Sequence, residues 1–303
     1  MADRVGQQLG NYQLVQLLGE GSFAAVYLGG HIHLGTLAAI KVLHAELTSE
    51  DVSTFRTEAR VIAHLIHPNI VRVLEFGIEE NIPFLVMDFA PHGTLRQRFV
   101  RGTQLPLATV VSYITAIAHA LQYAHDERLI HRDVKPENML VGRRNEILLS
   151  DFGIATLAQS SHDQRFSDTA GTMAYMAPEQ IQGKPCPASD QYSLGIVAYE
   201  WLCGICPFRG FSAIEVAVKH LSEQPPPLHD TVPLIPTAVE QVVMRALVKN
   251  PEERFANIRD FAVALEQASS IDTALVSQTP PQSEQLPSLG TPTTVSSDNS
   301  LLL

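Results

Sequence analysis

The 303-residue chain is 45% hydrophobic and 17% charged, enough apolar material for one large core or two modest ones that share an interface. Its 21 Lys and Arg stand against 32 Asp and Glu, and the formal charge of −11 argues against a partner held by its phosphate backbone, so no nucleic acid is expected. The N-terminus "MADRVGQQLG" has no apolar signal core, and the longest apolar stretch, "LGIVAYEWLCGIC", is too short for a bilayer and carries Glu200, so no membrane span is expected either.

Short β-rich runs open the chain. "YQLVQLLGEGSFAAVYLGG" and "TLAAIKVL" alternate apolar residues at period two around a Gly-rich turn, which predicts an antiparallel hairpin followed by a third strand. A helix follows: Thr48 with Asp51 reads as a capping box, and Val52, Phe55, Ala59, Ile62, Ala63 and Ile66 keep helical spacing until His67-Pro68. Glu58 falls beside that buried stripe and needs a cationic partner. Strands near "IVRVLEFG" and "PFLVMDF" complete a small sheet, giving a first lobe over 12–88.

Beyond "APHGTL" the period becomes helical, with Val110, Ile114, Ile117, Leu121 and Ala124 on one face of a long helix after Pro106. Short strands are predicted around "LIHRD", "NMLV" and "ILLSDFG", then an irregular polar stretch to about Tyr175, then helices to Ala268, so the second lobe covers 89–268. Residues 269–303, rich in Ser, Thr and Pro without sustained periodicity, read as a disordered tail. Of the three cysteines only "CGIC" is a close pair. It lacks a second Cys pair or a nearby His, and reads as reduced core thiols rather than a metal site.

The glycines of "GEGSFAAV" join two strands rather than a strand and a helix, and no G-x-x-x-x-G-K-[ST] occurs, which disfavours Rossmann and Walker sites. Lys41 of "AIK" lies on the next strand, within reach of phosphates under such a turn. "HRDVKPEN" (His131 to Asn138), "DFG" from Asp151, "APE" ending at Glu179, Asp190 in "SDQYSLG" and Arg254 in "NPEERF" follow in order. In that combination the sequence resembles the eukaryotic-type (bacterial Hanks-type) serine/threonine protein kinase family over roughly residues 12 to 266. The resemblance implies an α+β, bilobal kinase-like fold with a small β-rich N-lobe carrying one main helix and a larger, mainly helical C-lobe.

It also implies roles. Asp133 would orient the acceptor hydroxyl and take its proton, and Lys135 would steady the γ-phosphate. Lys41 would touch the α- and β-phosphates while paired with Glu58, and Asn138 and Asp151 would hold Mg²⁺, a hard cation suited to oxygen ligands. Gly19, Glu20, Gly21, Ser22 and Phe23 would cover the phosphates of ATP, with Ala24 in place of a third glycine. The adenine would stack between Val26 and Ala39 above and Leu140 below, its edge read by the backbone of Asp88 and Ala90, with Met87 at the back. Glu179 with Arg254, and Asp190, are implied as structural anchors. Lys135 and Thr172 match the serine/threonine branch, and Thr94 replaces an acid that readers of basic peptides place there.

Arg132 before Asp133 implies regulation by a phosphorylated segment, with Ser167 and Thr169 as acceptors. Counting back from Gly171, Asp168 falls on a phosphothreonine position and Thr156 on a supporting basic one, so Asp168 is expected to offer Arg132 a standing carboxylate. The expected partners are ATP and proteins with Ser or Thr acceptors, with room for a dimer that autophosphorylates in trans, in a soluble cytoplasmic protein. The alternative is a kinase-fold scaffold that binds nucleotide or a partner without catalysis. The joint presence of Lys41, Asp133, Asn138 and Asp151 speaks against it.

Overall fold

The computed structural model describes residues 4–21, 24–44, 49–152 and 170–276. Strands β1 (Gln8–Leu9), β2 (Tyr12–Glu20), β3 (Ala24–His31) and β4 (Leu37–Leu43) are followed by helix α1 (Ser49–Ala63), then β5 (Val73–Glu79) and β6 (Ile82–Asp88). All six strands form one antiparallel sheet in the order β1-β2-β3-β4-β6-β5. Alternation along β4 sorts the two faces: Ala38, Ile40 and Val42 are buried with Tyr12, Leu14, Tyr27, Phe84 and Val86, which leaves Ala39 and Lys41 for the other face. Glu80 and Asn81 turn β5 into β6 with φ of 50° and 64°, the left-handed pair that matches strand twist in a tight hairpin.

Helix α1 buries Phe55, Ala59 and Ile62, and Phe55 meets Phe76 of β5 edge to face at 6.1 Å. The helix stops at Ala63, earlier than the spacing predicted, so Leu65 turns into the core and Ile66 is exposed. Thr48 of the expected capping box lies outside the described residues.

The second lobe holds α2 (Leu95–Arg98), α3 (Leu107–Asp126), β7 (Met139–Val141), β8 (Ile147–Leu149), α4 (Ala170–Met173), α5 (Pro178–Ile181), α6 (Pro187–Cys203), α7 (Ala213–Ser222), α8 (Thr237–Ala246) and α9 (Ile258–Val276). The predicted stripe of α3 is buried at each position and packs against α6, α9 and β8. By length and composition α3 is also the one helix among the described residues that could cross a membrane. Helix α6 is buried all round from Ser189 to Cys203, and its acids and its amide have assigned partners, although Trp201 Nε1 has none among the described residues; Gln191, for instance, exchanges two 3.1 Å bonds with the Phe255 backbone. The lobes are stitched at β8, where Val71 N donates to Leu149 O (2.9 Å), Leu149 N to Asn69 O (2.8 Å) and Asn69 Nδ2 to Ile147 O (2.8 Å).

Two expectations need correction. "LIHRD" forms no strand, because the amides of His131 and Arg132 are taken by a side chain, Asp190, instead of a neighbouring strand. Helix α9 runs to Val276, past the boundary drawn at 268. Once Phe261, Ala262, Leu265 and Ala268 anchor it, adding residues fixes one for each bond gained, and the Ser269 and Ser270 hydroxyls bond back to Glu266 O. Residues 277–303 lie outside the described residues.

Gly204 ends α6 at φ 78°, and a Cβ there would sit 2.9 Å from the Gly102 carbonyl oxygen. Gly204→Ala is expected to cost about 2 kcal/mol through strain and clash together. Chemical denaturation checks this, and an unchanged midpoint would contradict it.

Candidate active site

The candidate cleft forms where β8, the "HRDVKPEN" turn and the lysine strand meet. Helix α6 sets its base. Asp190, 1% exposed, accepts from His131 N at 2.9 Å on one oxygen and from Arg132 N at 2.8 Å on the other, and the first oxygen also lies 2.7 Å from His125 Nε2. Those bonds hold Arg132 at φ 68°, a left-handed conformation uncommon for a side-chain-bearing residue, while Gln180 Nε2 of α5 donates to the Arg132 carbonyl at 2.7 Å. His131 continues the scaffold. Its Nδ1 accepts from Asp133 N at 3.2 Å, which puts the ring proton on Nε2, donating to Ser150 O at 2.8 Å, and Phe152 packs edge-on at 4.6 Å.

The turn then delivers its polar side chains together. Asp133 Oδ2 lies 2.8 Å from Lys135 Nζ and accepts from Asn138 Nδ2 at 2.9 Å, and Asn138 also bonds the Asp133 carbonyl at 2.8 Å. Asp133 Oδ1 is buried and has no hydrogen-bond partner among the described residues. Lys135 Nζ donates at 2.8 Å to Thr172 Oγ1 of α4, joining the turn to the segment before "APE". Ser150 N and Oγ both donate to Asn138 O, at 2.9 and 3.1 Å, so Asp151 is presented directly beside that turn.

From the sheet, Lys41 Nζ reaches Asp151 Oδ1 at 2.7 Å, with side chains 12% and 29% exposed. Burial pushes the Asp151 carboxyl up, but the Lys41 ammonium and its hydrogen bond, then His131 and Lys135, outweigh that and hold it below the usual carboxylate value. Asp151 is also left-handed, at φ 69°. Lys41, Asp133, Lys135, Asn138 and Asp151 are therefore one connected cluster. Glu58 is carried by α1, but its side chain lies outside the described ones, so Lys41 is seen here with Asp151.

The expected adenine-facing residues also gather. Register places Val26 opposite Lys41 and Ala39 opposite Met87, while Ala39, Met87 and Leu140 belong to the core that spans the two lobes. Asp88 N bonds Arg72 O at 3.0 Å at the end of β6, with Ala90 just beyond. Gly19, Glu20 and Gly21 lie on β2 and its turn; Ser22 and Phe23, like Thr156, Ser167, Asp168 and Thr169, lie outside the described residues. Thr94 caps α2 in a capping box with Gln97.

Glu179 and Arg254 pair as expected, with Arg254 Nη1 and Nη2 each 2.8 Å from a different Glu179 oxygen. Sequence reasoning missed the cluster of Arg96, Glu137, Tyr175 and Glu200. The available signal was Glu200, a carboxylate in an apolar helix, which required a partner.

For Glu179, burial raises the carboxyl, but the Arg254 hydrogen bond and charge and the Ser189 hydroxyl bring it below its ordinary 4.5. Such a group contributes stability that is present above the unfolded value and is lost as pH falls through the lower folded value. Glu179→Gln is expected to cost about 3 kcal/mol at neutral pH and to flatten the acid limb of stability below pH 4.5. Urea titrations at stepped pH read both effects; parallel acid limbs would refute the second.

Residues 12–267 match the family described as "Protein kinase domain". The serine/threonine-protein kinase Pkn1 of Myxococcus xanthus is 39% identical over 87% of this chain and 39% of its own length. The serine/threonine-protein kinase PknA of Mycobacterium tuberculosis is 36% identical over 96% of this chain and 67% of its own. The chain thus spans about two fifths of several curated relatives it matches. The crystal structure of a mutant Mycobacterium tuberculosis PknI kinase domain superposes with a TM-score of 0.71 at 31% identity, over 89% of this chain and 100% of that one.

Proposed function

The chain belongs to the protein kinase family, and from that premise we propose that it transfers the γ-phosphoryl group of ATP to serine or threonine hydroxyls of proteins. One observation carries the reading: Asp133 has one oxygen clamped by Asn138 and Lys135 and the other buried without a partner among the described residues. A buried acceptor left bare is costly unless something arrives to donate to it, and a substrate hydroxyl is a donor of the right kind.

The donor set also fits a nucleotide-bound metal. With its amide nitrogen committed to Asp133, Asn138 has its amide oxygen for Mg²⁺, and Asp151 offers a carboxylate. Among the described residues no three His, Cys, Asp or Glu side chains converge on a metal, so such an ion would be completed by phosphate oxygens. When bound it supplies neutralisation of phosphate charge. The chain's own residues do the rest. Asp133 orients the acceptor and takes its proton, Lys135 and Lys41 bring positive charge to the phosphates, and the Asp190 scaffold keeps these groups in register. Thr172, bonded to Lys135, supports a serine or threonine acceptor over tyrosine.

Arg132, fixed by its backbone at Asp190 and Gln180, is assigned as receiver for a phosphate on Thr169 or Ser167, with the Asp168 carboxylate as its weaker stand-in. Cys186, Cys203 and Cys206 are free thiols, which supports a reducing, cytoplasmic setting, and burial, which pushes Cys203 up to about 11 and Cys206 up to about 12, leaves those two largely unreactive.

Incubation with labelled ATP, Mg²⁺ and a generic protein acceptor tests the reading. Asp133→Ala is expected to lower transfer by roughly 10² to 10⁴. A wild-type chain that transfers nothing, even after phosphorylation by another kinase, would point to a scaffold instead.

A further inference from the structure

Arg96 is a heavily engaged cation, with four side-chain hydrogen bonds, and the phosphotransfer roles above leave it without a task. Thr94 caps the short helix that presents it, through the 3.0 Å bond from Gln97 N to Thr94 Oγ1. Its guanidinium then spends its three nitrogens on three regions of the chain. Nε donates at 2.9 Å to Glu137 Oε1, in the turn between Lys135 and Asn138. Nη1 and Nη2 donate at 2.9 Å each to the two oxygens of Glu200 on α6, a bidentate pair whose acid is 4% exposed. Nη2 also meets the Tyr175 hydroxyl, which in turn donates to Glu200 Oε2 at 2.6 Å.

The electrostatics fix the protonation states. Burial opposes charging Arg96, but the Glu200 hydrogen bond and the neighbouring Tyr175, Glu200 and Glu137 outweigh it, so the guanidinium holds its proton more firmly than an ordinary arginine. Burial, Cys206 and Glu200 push the Tyr175 phenol well above its usual value, so it remains a neutral donor. One cation thus faces two carboxylates that differ in exposure: the Glu200 side chain is 4% exposed and that of Glu137 36%, although Glu137 Oε2 is buried without a hydrogen-bond partner among the described residues. This asymmetry matters. The Glu200 arm is the anchor, and the Glu137 arm is the adjustable contact to the turn that carries Asp133, Lys135 and Asn138.

We infer that Arg96 is a positioning residue: anchored on Glu200, it holds the catalytic turn through Glu137 and the acceptor-side segment through Tyr175 at a fixed separation. The Lys135–Thr172 bond is the second link between the same two segments. Two links define an orientation where one would leave a pivot. The inference rests on the phosphotransfer reading, since it assigns Arg96 to aligning Asp133 with the acceptor. Lysine cannot replace it, because a single ammonium lacks the planar fork needed to serve Glu200 and Glu137 together.

The test compares wild type, Glu137→Gln, Arg96→Met and the double variant in steady-state transfer to a peptide, with hydrogen exchange measured on the same proteins. Glu137→Gln and Arg96→Met are each expected to lower kcat about tenfold or more while KM for ATP stays within about twofold, as misplacement of aligned groups does. The double variant should be no slower than Arg96→Met, because Arg96→Met already removes the Glu137 link that Glu137→Gln weakens by taking away its charge. Amides of Asn138 and of Tyr175 and Met176, which are hydrogen-bonded in the wild type, should exchange faster in Glu137→Gln. If Arg96→Met does not fold, Arg96→Lys takes its place in the same cycle. Wild-type kcat in Glu137→Gln, losses that multiply in the double variant, or unchanged exchange in both segments would overturn the inference. An inactive wild type would instead defeat the phosphotransfer reading, and the exchange measurement would still decide whether the link exists.

Discussion

Everything in the candidate cleft depends on one carboxylate in the wrong solvent. Asp190 is buried in a helix packed on all sides, and it is tolerable there because two backbone amides and a histidine nitrogen converge on it. The reciprocal effect is the useful one. His131 and Arg132 are held in a conformation that a free loop would abandon, including a left-handed Arg132, and the residues that follow inherit their directions from it. The turn is therefore rigid without belonging to a sheet or a long helix.

Helix α6 repeats the device further along. At 1.5 Å per residue, Glu200 lies roughly 15 Å beyond Asp190, and it too is a buried acid satisfied by groups from elsewhere in the chain. One acid grips the start of the "HRDVKPEN" turn, and the other, through Arg96 and Tyr175, touches both its end and the segment that leads into "APE". Glu179 with Arg254 provides a third buried pair beside α6, with the Ser189 hydroxyl donating to Glu179. Buried ion pairs are weak sources of net stability, because desolvation offsets most of the Coulomb gain. Their consequence here is geometric: each fixes where a loop must sit.

The sheet side of the cleft is organised differently, by strand register and apolar packing. Val26, Ala39 and Lys41 share a sheet face because of alternation, and β8 ties the sheet to the second lobe through backbone bonds at Asn69 and Val71. Among the described residues, Lys41 with Asp151 is the one ion pair that joins the two lobes. The superposition on a kinase domain agrees with this two-lobed arrangement.

The sequence by itself determined five of the six strands of the first lobe, β1 lying ahead of the boundary drawn at 12, as well as the buried face of α3 and the motifs from Lys41 to Asp151, because period and motif are local properties that neighbours in the chain carry. It misplaced Ile66, drew a strand at "LIHRD" and ended α9 early, and it passed over Arg96 entirely. The strand drawn at "LIHRD" and the neglect of Arg96 share a cause. An amide satisfied by Asp190 and a guanidinium satisfied by Glu200 are matched across 58 or more positions, as with Arg132 and Asp190, and 104, as with Arg96 and Glu200. No periodicity encodes such a pairing. Only the tertiary structure decides which buried acid meets which donor, since that choice follows from how whole helices pack, and burial makes each match compulsory once the packing is set.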